Sequence, residues 1–535
     1  MRALNVLLAL VMSVVIGLAV LEGGLRLIPA FRPRATLNQH DAVTGWSQIP
    51  GKHVVRRVAG QKIDFEINAL GLRDDADLTV SKPAGTRRVL VLGDSFALGY
   101  TVEREHAFAD LLEKRWNEEG RKIQVVNAGT EGWSTDQEVA WFLERGVSYA
   151  PDLVLLFPYE NDIYWCGQTS YLRYAKPRFT AEGKLEQREL ADPGPAPALS
   201  RSAIVGFLTQ SLGALLSHPT ERTHYQTPAG PDGKRAWILK EFTPLLVQPP
   251  DYVADCEQRT EGALKALKER CDAIGARLAV IPIPSKSAID ADEREFFRTW
   301  DRGLDGLPDS AWSPDRPVDL FLGLAKKHGI DALDVRSDLR AASAQHKLYF
   351  PKKMEWHFNA AGNEAFAAIV HNRLDEIAEL GAPPESAHAV VADFTGDEKN
   401  AALPRWPFVF GVLWLALSAL YTGTYRDEKK HLAALKVGAL LACVFTIVLG
   451  GKLLVGLLPP AISGWVLGAF VAGILVFVIY KLGRRVGTVA ELMRAFVLRG
   501  HWYLMPLIVV LLTVGSLLVV AASSPLVAPF IYTLF

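Results

Sequence analysis

The chain contains few cysteines and no cluster of metal-binding residues. Four cysteines in 535 residues are too few for a disulfide framework. Cys256 and Cys271 share one predicted helix and would lie about 22 Å apart, beyond the reach of a disulfide bond. Cys166 could pair with either of them. Because no CxxC pair or grouped Cys and His residues occur, we predict no structural metal site.

The chain also lacks a surplus of charge of either sign. Lys plus Arg and Asp plus Glu both number 58, so the formal net charge is zero. A nucleic-acid-binding protein usually carries a basic surplus, and the composition therefore does not favour that class of function. The apolar residues, 50% of the total, are concentrated at the two ends of the chain. The middle has the composition of a soluble domain.

Long apolar runs at both ends predict membrane helices. The run at residues 4–21 is long enough to cross a bilayer core, and we predict an uncleaved anchor within residues 1–25. A cleaved signal peptide is the alternative, although no small-x-small cleavage site follows the run. Four further runs predict a C-terminal membrane domain over residues 404–535. They are residues 406–421, 437–458, 465–482 and 503–522.

Basic residues beside these runs predict their orientation. Residues 426–430 carry three basic side chains, and residues 481–499 carry five. By the positive-inside rule both segments are cytoplasmic, which places residues 39–396 outside the cytoplasm. Three arginines within residues 26–34 oppose this orientation. We predict a protein of the bacterial inner membrane whose middle domain faces the periplasm.

The middle domain alternates short β-rich runs with helical patterns. The predicted strands are residues 88–92, 123–126, 152–157, 277–282 and 331–335. The predicted helices are residues 107–118, 135–145, 253–274 and 362–374. The alternation predicts an α/β fold with a doubly wound parallel sheet, a flavodoxin-like three-layer sandwich that binds ligands at the carboxyl ends of its strands.

Residues 163–250 interrupt this alternation. They are rich in Pro, Gly, Tyr and charged residues and have no clear period. An insertion beside a strand end either shapes the access of a substrate or is a surface excursion without function.

Four residues stand where such a fold places its site. Ser95 follows Gly93 at the end of the first strand, where a helix start would direct backbone N–H groups at an oxyanion. Gly132 and Asn161 follow the next two strands and can supply further N–H donors. His357 precedes the last helix and can act as a general base. Alone, each is more often a turn, cap or surface residue; together they indicate a nucleophilic site.

These motifs resemble the conserved blocks of the SGNH/GDSL hydrolase superfamily, named after a Ser, a Gly, an Asn and a His. Residues 93–96, Gly-Asp-Ser-Phe, resemble the first block, and residues 67–73 resemble a run that often precedes the nucleophile in bacterial members. The resemblance covers residues 68–374 outside the insertion. It implies an SGNH-hydrolase-like domain that acts on esters, in which Ser95 is the nucleophile and His357 the base. Gly132 and Asn161 would be the oxyanion donors, together with the Ser95 N–H.

The chain departs from the superfamily at two positions. Many members have an Asp three residues before the His, where this chain has Met354. Glu355 is the predicted acid, Asp334 is the reserve, and a Ser–His pair without an acid is a further alternative. The second departure is Glu160, at a position where a Gly often precedes the Asn.

Residues 406–485 and 498–535 resemble small uncharacterised families of bacterial membrane proteins. The resemblance implies that they accompany such hydrolases and membrane O-acyltransferases in exopolysaccharide gene clusters, with a membrane O-acyltransferase as partner or setting. Plain anchoring in the membrane is the alternative. The sequence thus predicts a serine esterase or O-acyltransferase acting on acyl esters of an extracytoplasmic glycan or lipid-linked sugar. A non-catalytic membrane scaffold for polysaccharide acylation or export is the alternative. No cofactor is predicted.

Overall fold

The computed structural model describes residues 36–187, 189–194, 202–206, 223–228, 235–300, 307–350 and 355–377, with isolated residues between 18 and 26 and between 414 and 438. Apart from those isolated positions, the predicted anchor and the four predicted C-terminal spans lie outside the described residues. Within the described part, no helix combines the length and the apolar composition that crossing a bilayer requires.

The chain divides into two compact units. One consists of Arg34–Pro195 and Pro219–Asp397, and the other of Met1–Pro33, Ala196–His218 and Glu398–Phe535. In the second unit the carboxylate of Glu22 accepts hydrogen bonds from the Ser202 hydroxyl and the Ala203 N–H, at 2.7 and 2.9 Å. The first unit holds all the predicted site residues.

Strands and helices alternate along the first unit. The strands in its described residues are β1 (Asn38–Asp41), β2 (Gly45–Gln48), β3 (His53–Val58), β4 (Gln61–Glu66), β5 (Arg87–Gly93), β6 (Ile123–Asn127), β7 (Leu153–Phe157), β8 (Ser170–Tyr171), β9 (Tyr174–Ala175), β10 (His224–Gln226), β11 (Trp237–Leu239), β12 (Arg277–Val280) and β13 (Asp331–Ala332). The α-helices are α1 (Ser95–Leu98), α2 (Phe108–Glu118), α3 (Thr135–Glu144), α4 (Asp162–Cys166), α5 (Asp251–Ile274), α6 (Lys286–Ile289), α7 (Ala291–Trp300), α8 (Arg316–Lys327), α9 (Arg336–Ser343) and α10 (Ala360–Arg373).

Five parallel strands form the central sheet, in the order β13-β12-β7-β5-β6. β5 lies between β6 and β7, and its residues Val91 and Gly93 pair with Asn127 and Phe157. The carboxyl ends of these three strands therefore meet at one edge of the sheet. This arrangement confirms the predicted α/β fold with a parallel sheet.

Apolar side chains from both faces of the sheet build two cores. Val89 and Val91 pack with residues of α2 and α10, whereas Leu90 and Leu92 pack with residues of α3, α5 and α8. All four side chains are fully buried, as expected for strands covered on both faces. Burial of each contributes about 1.5–3 kcal/mol, so the alternation along β5 fixes which side chains face each side of the sheet.

The predicted elements differ from the observed ones mainly at their ends. The predicted strand at 331–335 shortens to β13, because the Leu333 N–H makes the last ladder bond, to Val280 O, before the chain turns into α9. The predicted final helix begins earlier, at Ala360, because the side chain of Asn359 caps it by accepting from the Gly362 N–H at 2.9 Å. The hairpins β1–β2 and β3–β4 and the helix α8 were not predicted.

The predicted insertion at 163–250 contains two antiparallel hairpins, β8–β9 and β10–β11. Its first residues continue α4, so the helix that follows β7 leads directly into the first hairpin. The described cysteines, Cys166, Cys256 and Cys271, are buried and free.

Candidate active site

Ser95 stands at the carboxyl end of β5, as the first residue of α1. Asp94 caps this helix, and its Oδ1 accepts from the Phe96 N–H at 2.8 Å. The strand turns into the helix at Gly93, where a Cβ would come within 2.7 Å of the Ala97 side chain. A residue with a side chain would force these two segments apart, and glycine therefore permits the tight turn that presents the serine.

The Ser95 hydroxyl contacts His357. Its Oγ lies 2.6 Å from His357 Nε2, and His357 Nδ1 lies 2.7 Å from Glu355 Oε1. Because a carboxylate only accepts hydrogen bonds, this contact leaves the imidazole proton on Nδ1 and directs the lone pair of Nε2 toward the serine. The ring is enclosed by Phe96 and Tyr100, with centroid distances of 4.6 and 5.3 Å.

The two predicted acids lie in different surroundings. Glu355 also accepts from the Trp356 N–H at 2.8 Å, which fixes its carboxylate beside the imidazole. Asp334, the predicted reserve, accepts from the Arg336 guanidinium at 2.7 and 3.0 Å. The structure thus brings Ser95, His357 and Glu355 together and engages Asp334 elsewhere. The catalytic roles of these residues remain predictions.

Gly132 lies in the loop that joins β6 to α3. The start of this loop is held beside the end of β5, because the Thr130 N–H donates to Gly93 O at 3.2 Å. Gly132 has a φ of +76°, a conformation that glycine adopts without strain. The ring of Tyr171 lies 3.3 Å from the position a Cβ would occupy, so the hairpin β8–β9 closes over this residue.

Asn161 follows β7 and occupies the cap position of α4. Its side chain makes no capping hydrogen bond to the helix. The Oδ1 atom is buried and has no hydrogen-bond partner among the described residues. The amide is therefore not committed to the helix, and the strand order brings it to the same edge of the sheet as Ser95 and Gly132.

Comparisons with known proteins find one matching family model and several similar proteins. Residues 486–535 match a family of unknown function, DUF5989. A segment of 77 residues is 32% identical to an arylesterase of Vibrio mimicus and spans 14% of this chain and 38% of that protein, so the chain matches about two-fifths of its curated relative.

Several solved structures are also similar to this chain. The acetyl xylan esterase AlAXEase and TesA each have 13% identity and a TM-score of 0.30, covering 54% of this chain and 99% of theirs. The lipase/acylhydrolase from Enterococcus faecalis has 12% identity and a TM-score of 0.29, covering 55% and 100%. At these values the likeness does not identify a reaction.

Three carboxyl groups lie buried near the Ser95 turn. Burial raises the pKa of Asp94 to about 6, although the nearby His357 lowers it. Burial, with the charges of Asp162 and Asp94 adding to it, raises the pKa of Glu138 well above its usual range. Burial and Asp94 act in the same direction on the pKa of Asp162. Burial thus penalises the ionised form of all three carboxyl groups, and repulsion between the carboxylates adds to that penalty for Glu138 and Asp162.

Sequence analysis did not single out Glu138 or Asp162. Glu138 lies on α3, where its neighbours are buried, and neither of its oxygens has a hydrogen-bond partner in the described part of the chain. The sequence offered one sign of this burial: Glu138 lies in the middle of a predicted helix that must pack on the sheet. No group of three or more His, Cys, Asp or Glu side chains is placed to hold a metal ion among the residues that the structure describes.

Proposed function

We propose that the unit formed by Arg34–Pro195 and Pro219–Asp397 is a serine esterase or O-acyltransferase domain. The observation that carries this proposal is the pair of contacts made by His357. Its Nε2 lies 2.6 Å from Ser95 Oγ, and its Nδ1 lies 2.7 Å from Glu355 Oε1. A serine that is hydrogen-bonded to a histidine, which is in turn oriented by a carboxylate, is the arrangement that activates serine for acyl transfer. The similarity of 77 residues to an arylesterase agrees with ester chemistry.

In the first half of the reaction, Ser95 Oγ attacks the carbonyl carbon of the ester while His357 Nε2 takes the hydroxyl proton. The carbonyl oxygen becomes an oxyanion, which the N–H groups of Ser95 and Gly132 and the amide of Asn161 would stabilise. Collapse of this intermediate breaks the bond to the leaving alcohol, which receives the proton from His357. The acyl group remains on Ser95.

In the second half, His357 takes a proton from the acceptor, which attacks the acyl-serine. Water as the acceptor gives a carboxylic acid, and a sugar hydroxyl gives a new ester. Both outcomes break the bond between Ser95 Oγ and the acyl carbon, return the proton from His357 to Ser95, and use the same side chains.

For the substrate we propose an acyl ester of an extracytoplasmic glycan or a lipid-linked sugar. The apolar runs at both ends of the chain support a membrane setting, with a membrane O-acyltransferase as the proposed partner. Half-buried aromatic rings beside Gly132 support a sugar ligand, since pyranose rings stack on such surfaces. Tyr171 packs against Trp165 there, with ring centroids 4.6 Å apart. The scaffold alternative has less support, because Glu355 contacts His357 although position 354 lacks an acid.

The proposal is tested with the purified full chain, p-nitrophenyl acetate and a fluorophosphonate probe. We expect turnover of the ester and a covalent adduct on Ser95, located by peptide mass spectrometry. Ser95→Ala should lose both, while Ser148→Ala, which alters an exposed serine, should keep both. Equal turnover by Ser95→Ala and the unsubstituted protein, or an adduct on another serine, would refute the proposal.

A second experiment separates hydrolysis from acyl transfer. The protein is incubated with the same acetyl donor in the presence and absence of a soluble oligosaccharide. An acetylated sugar formed faster than free acetate indicates a transferase, whereas an acetate release that is independent of the sugar indicates an esterase. If no label forms on Ser95 but Ser95→Ala still binds membrane partners, the scaffold alternative is favoured.

A further inference from the structure

Lys176, at the end of the hairpin β8–β9, is a buried cation that the proposed reaction does not use. Its side chain is 1% exposed, and so is that of Asp136, with which it forms an ion pair at 2.8 Å. The Lys176 N–H donates to Thr169 O at 2.9 Å, which ties the residue to the hairpin. A buried ammonium group needs a hydrogen-bond acceptor for each of its three protons.

All three acceptors of the Lys176 ammonium lie at the start of α3. Besides Asp136, they are Ser134 Oγ at 2.6 Å and Gln137 Oε1 at 2.7 Å. Ser134 is the cap residue of α3, yet its side chain makes no capping bond to the helix. It donates to Asp136 Oδ1 at 2.8 Å instead. The cap side chain is thus committed to the buried ion pair and to the inserted hairpin.

The loop that leads into this cap contains Gly132. Segments outside the central sheet also donate hydrogen bonds to carbonyl groups of this loop. Gln48 Nε2 donates to Gly129 O at 2.8 Å, and Trp46 Nε1 donates to Glu131 O at 3.0 Å. Trp46 stacks on Tyr171 of the hairpin, with ring centroids 5.6 Å apart. Lys176 secures the far end of the same loop, two residues beyond Gly132.

We propose that Lys176 is a positioning residue for the oxyanion donors, through which the inserted hairpin fixes the direction of the Gly132 N–H. This inference rests on the proposed function, because it assigns the inserted hairpin a part in the same site. An N–H that is held in place before the reaction stabilises the oxyanion without reorganisation, whereas a loosened loop loses that advantage. The inserted hairpin would therefore hold an oxyanion donor in position as well as lie beside the site.

The test uses the full chain and the double variant K176M/D136N. Removing both charges leaves neither one buried alone, and the unsubstituted protein, with the ion pair intact, is the reference. Because the oxyanion forms only in the transition state, we expect K176M/D136N to lower kcat for p-nitrophenyl acetate about 10- to 100-fold relative to the unsubstituted protein, with KM within about 2-fold. Amide exchange in a peptide covering residues 129–137 should become faster. Lys184→Met, an exposed lysine of the same insertion, should change neither quantity.

Folding of each variant is verified by thermal unfolding. If K176M/D136N does not fold, Ser134→Ala keeps the ion pair and removes the hydroxyl nearest to Gly132, and a smaller fall in kcat is expected. A folded K176M/D136N with the kcat and exchange rate of the unsubstituted protein would overturn the inference. Absence of ester turnover in the unsubstituted protein would instead defeat the proposed function, and the exchange rate alone would then decide whether Lys176 holds the loop.

Discussion

Glu355 holds His357 from a position only two residues before it, with 2.7 Å between Glu355 Oε1 and His357 Nδ1. Both side chains are largely shielded, with exposures of 15% and 16%. The pair lies on the loop before α10, and Asn359 caps that helix directly behind it. A short segment therefore carries both the proposed base and the carboxylate that contacts its Nδ1.

Replacement of Glu355 tests this pairing. Glu355→Gln keeps the shape of the side chain but can offer an N–H to His357 Nδ1, which favours the wrong tautomer. We expect kcat for p-nitrophenyl acetate to fall about 1,000- to 10,000-fold with little change in KM. Asp334→Asn is the matched control, since that carboxylate binds Arg336, and it should keep the original rate. Equal losses in both variants would contradict the assignment of Glu355.

Removal of the Asn161 amide tests the oxyanion donors. Asn161→Ala deletes a group that makes no capping bond, so the fold should be retained. We expect kcat to fall about 100- to 1,000-fold, because the donor acts on charge that develops only in the transition state. Steady-state kinetics measure the effect, with Asn372→Ala, an exposed asparagine of α10, as the control. A rise in KM at constant kcat would mean that Asn161 binds the ground state instead.

Glu138→Gln should increase stability at neutral pH. Burial raises the pKa of Glu138 well above its usual range, so at pH 7 folding must keep a proton that the unfolded chain releases. The free-energy cost of keeping this proton in the folded state grows by up to about 1.4 kcal/mol per pH unit above the unfolded pKa, and it is absent below that pKa. We expect urea unfolding to show that the free energy of unfolding of Glu138→Gln, relative to that of the unsubstituted protein, increases from pH 5 to pH 7. A constant difference across this range would show that Glu138 is ionised in the folded state.

A second pH effect comes from the surface cavity lined by Asp74, Arg104, Asp110 and Glu113. Burial raises the pKa of Asp110 and of Glu113 to about 7, and Arg104 opposes this in both. Between about pH 4 and pH 7 the folded protein therefore binds more protons than the unfolded chain, and the free energy of unfolding should decrease as the pH rises.

The double variant D110N/E113Q should flatten this decrease. Unfolding in urea at pH 5, 6, 7 and 8 measures the slope in both proteins. The difference between the two curves should level off toward pH 8, because both carboxyl groups are then largely ionised in the folded as well as the unfolded state. An unchanged slope between pH 5 and pH 7 would show that these two groups do not cause it.

The central sheet could be predicted from sequence because its strands are apolar runs that end at polar or glycine residues. Val89–Leu92 and Leu153–Phe157 are fully or almost fully buried, so no local pattern competes with the strand. Since neighbouring parallel strands end at one edge, the convergence of Ser95, Gly132 and Asn161 on that edge followed from the order of the motifs.

The surroundings of the site could not be predicted in the same way. The hairpin β3–β4 alternates exposed and buried residues over only six positions in each strand, too short a pattern to distinguish from a loop. Lys176 and Asp136 are 40 residues apart, and their contact depends on where the insertion folds back. A lysine within a polar insertion gives no sign that it will be buried. Such contacts depend on tertiary packing, which a single sequence does not show.

The large separation of Ser95 and His357 along the chain affects when the site can form. The two residues are 262 positions apart, and β7, β12 and β13 are all made between them. At about 5–20 residues per second, a ribosome needs roughly 13 to 50 s to travel from the serine codon to the histidine codon. Throughout that interval the nascent polypeptide exposes a serine without its base. The proposed site therefore cannot assemble until the segment that carries His357 has left the ribosome and packed beside Ser95.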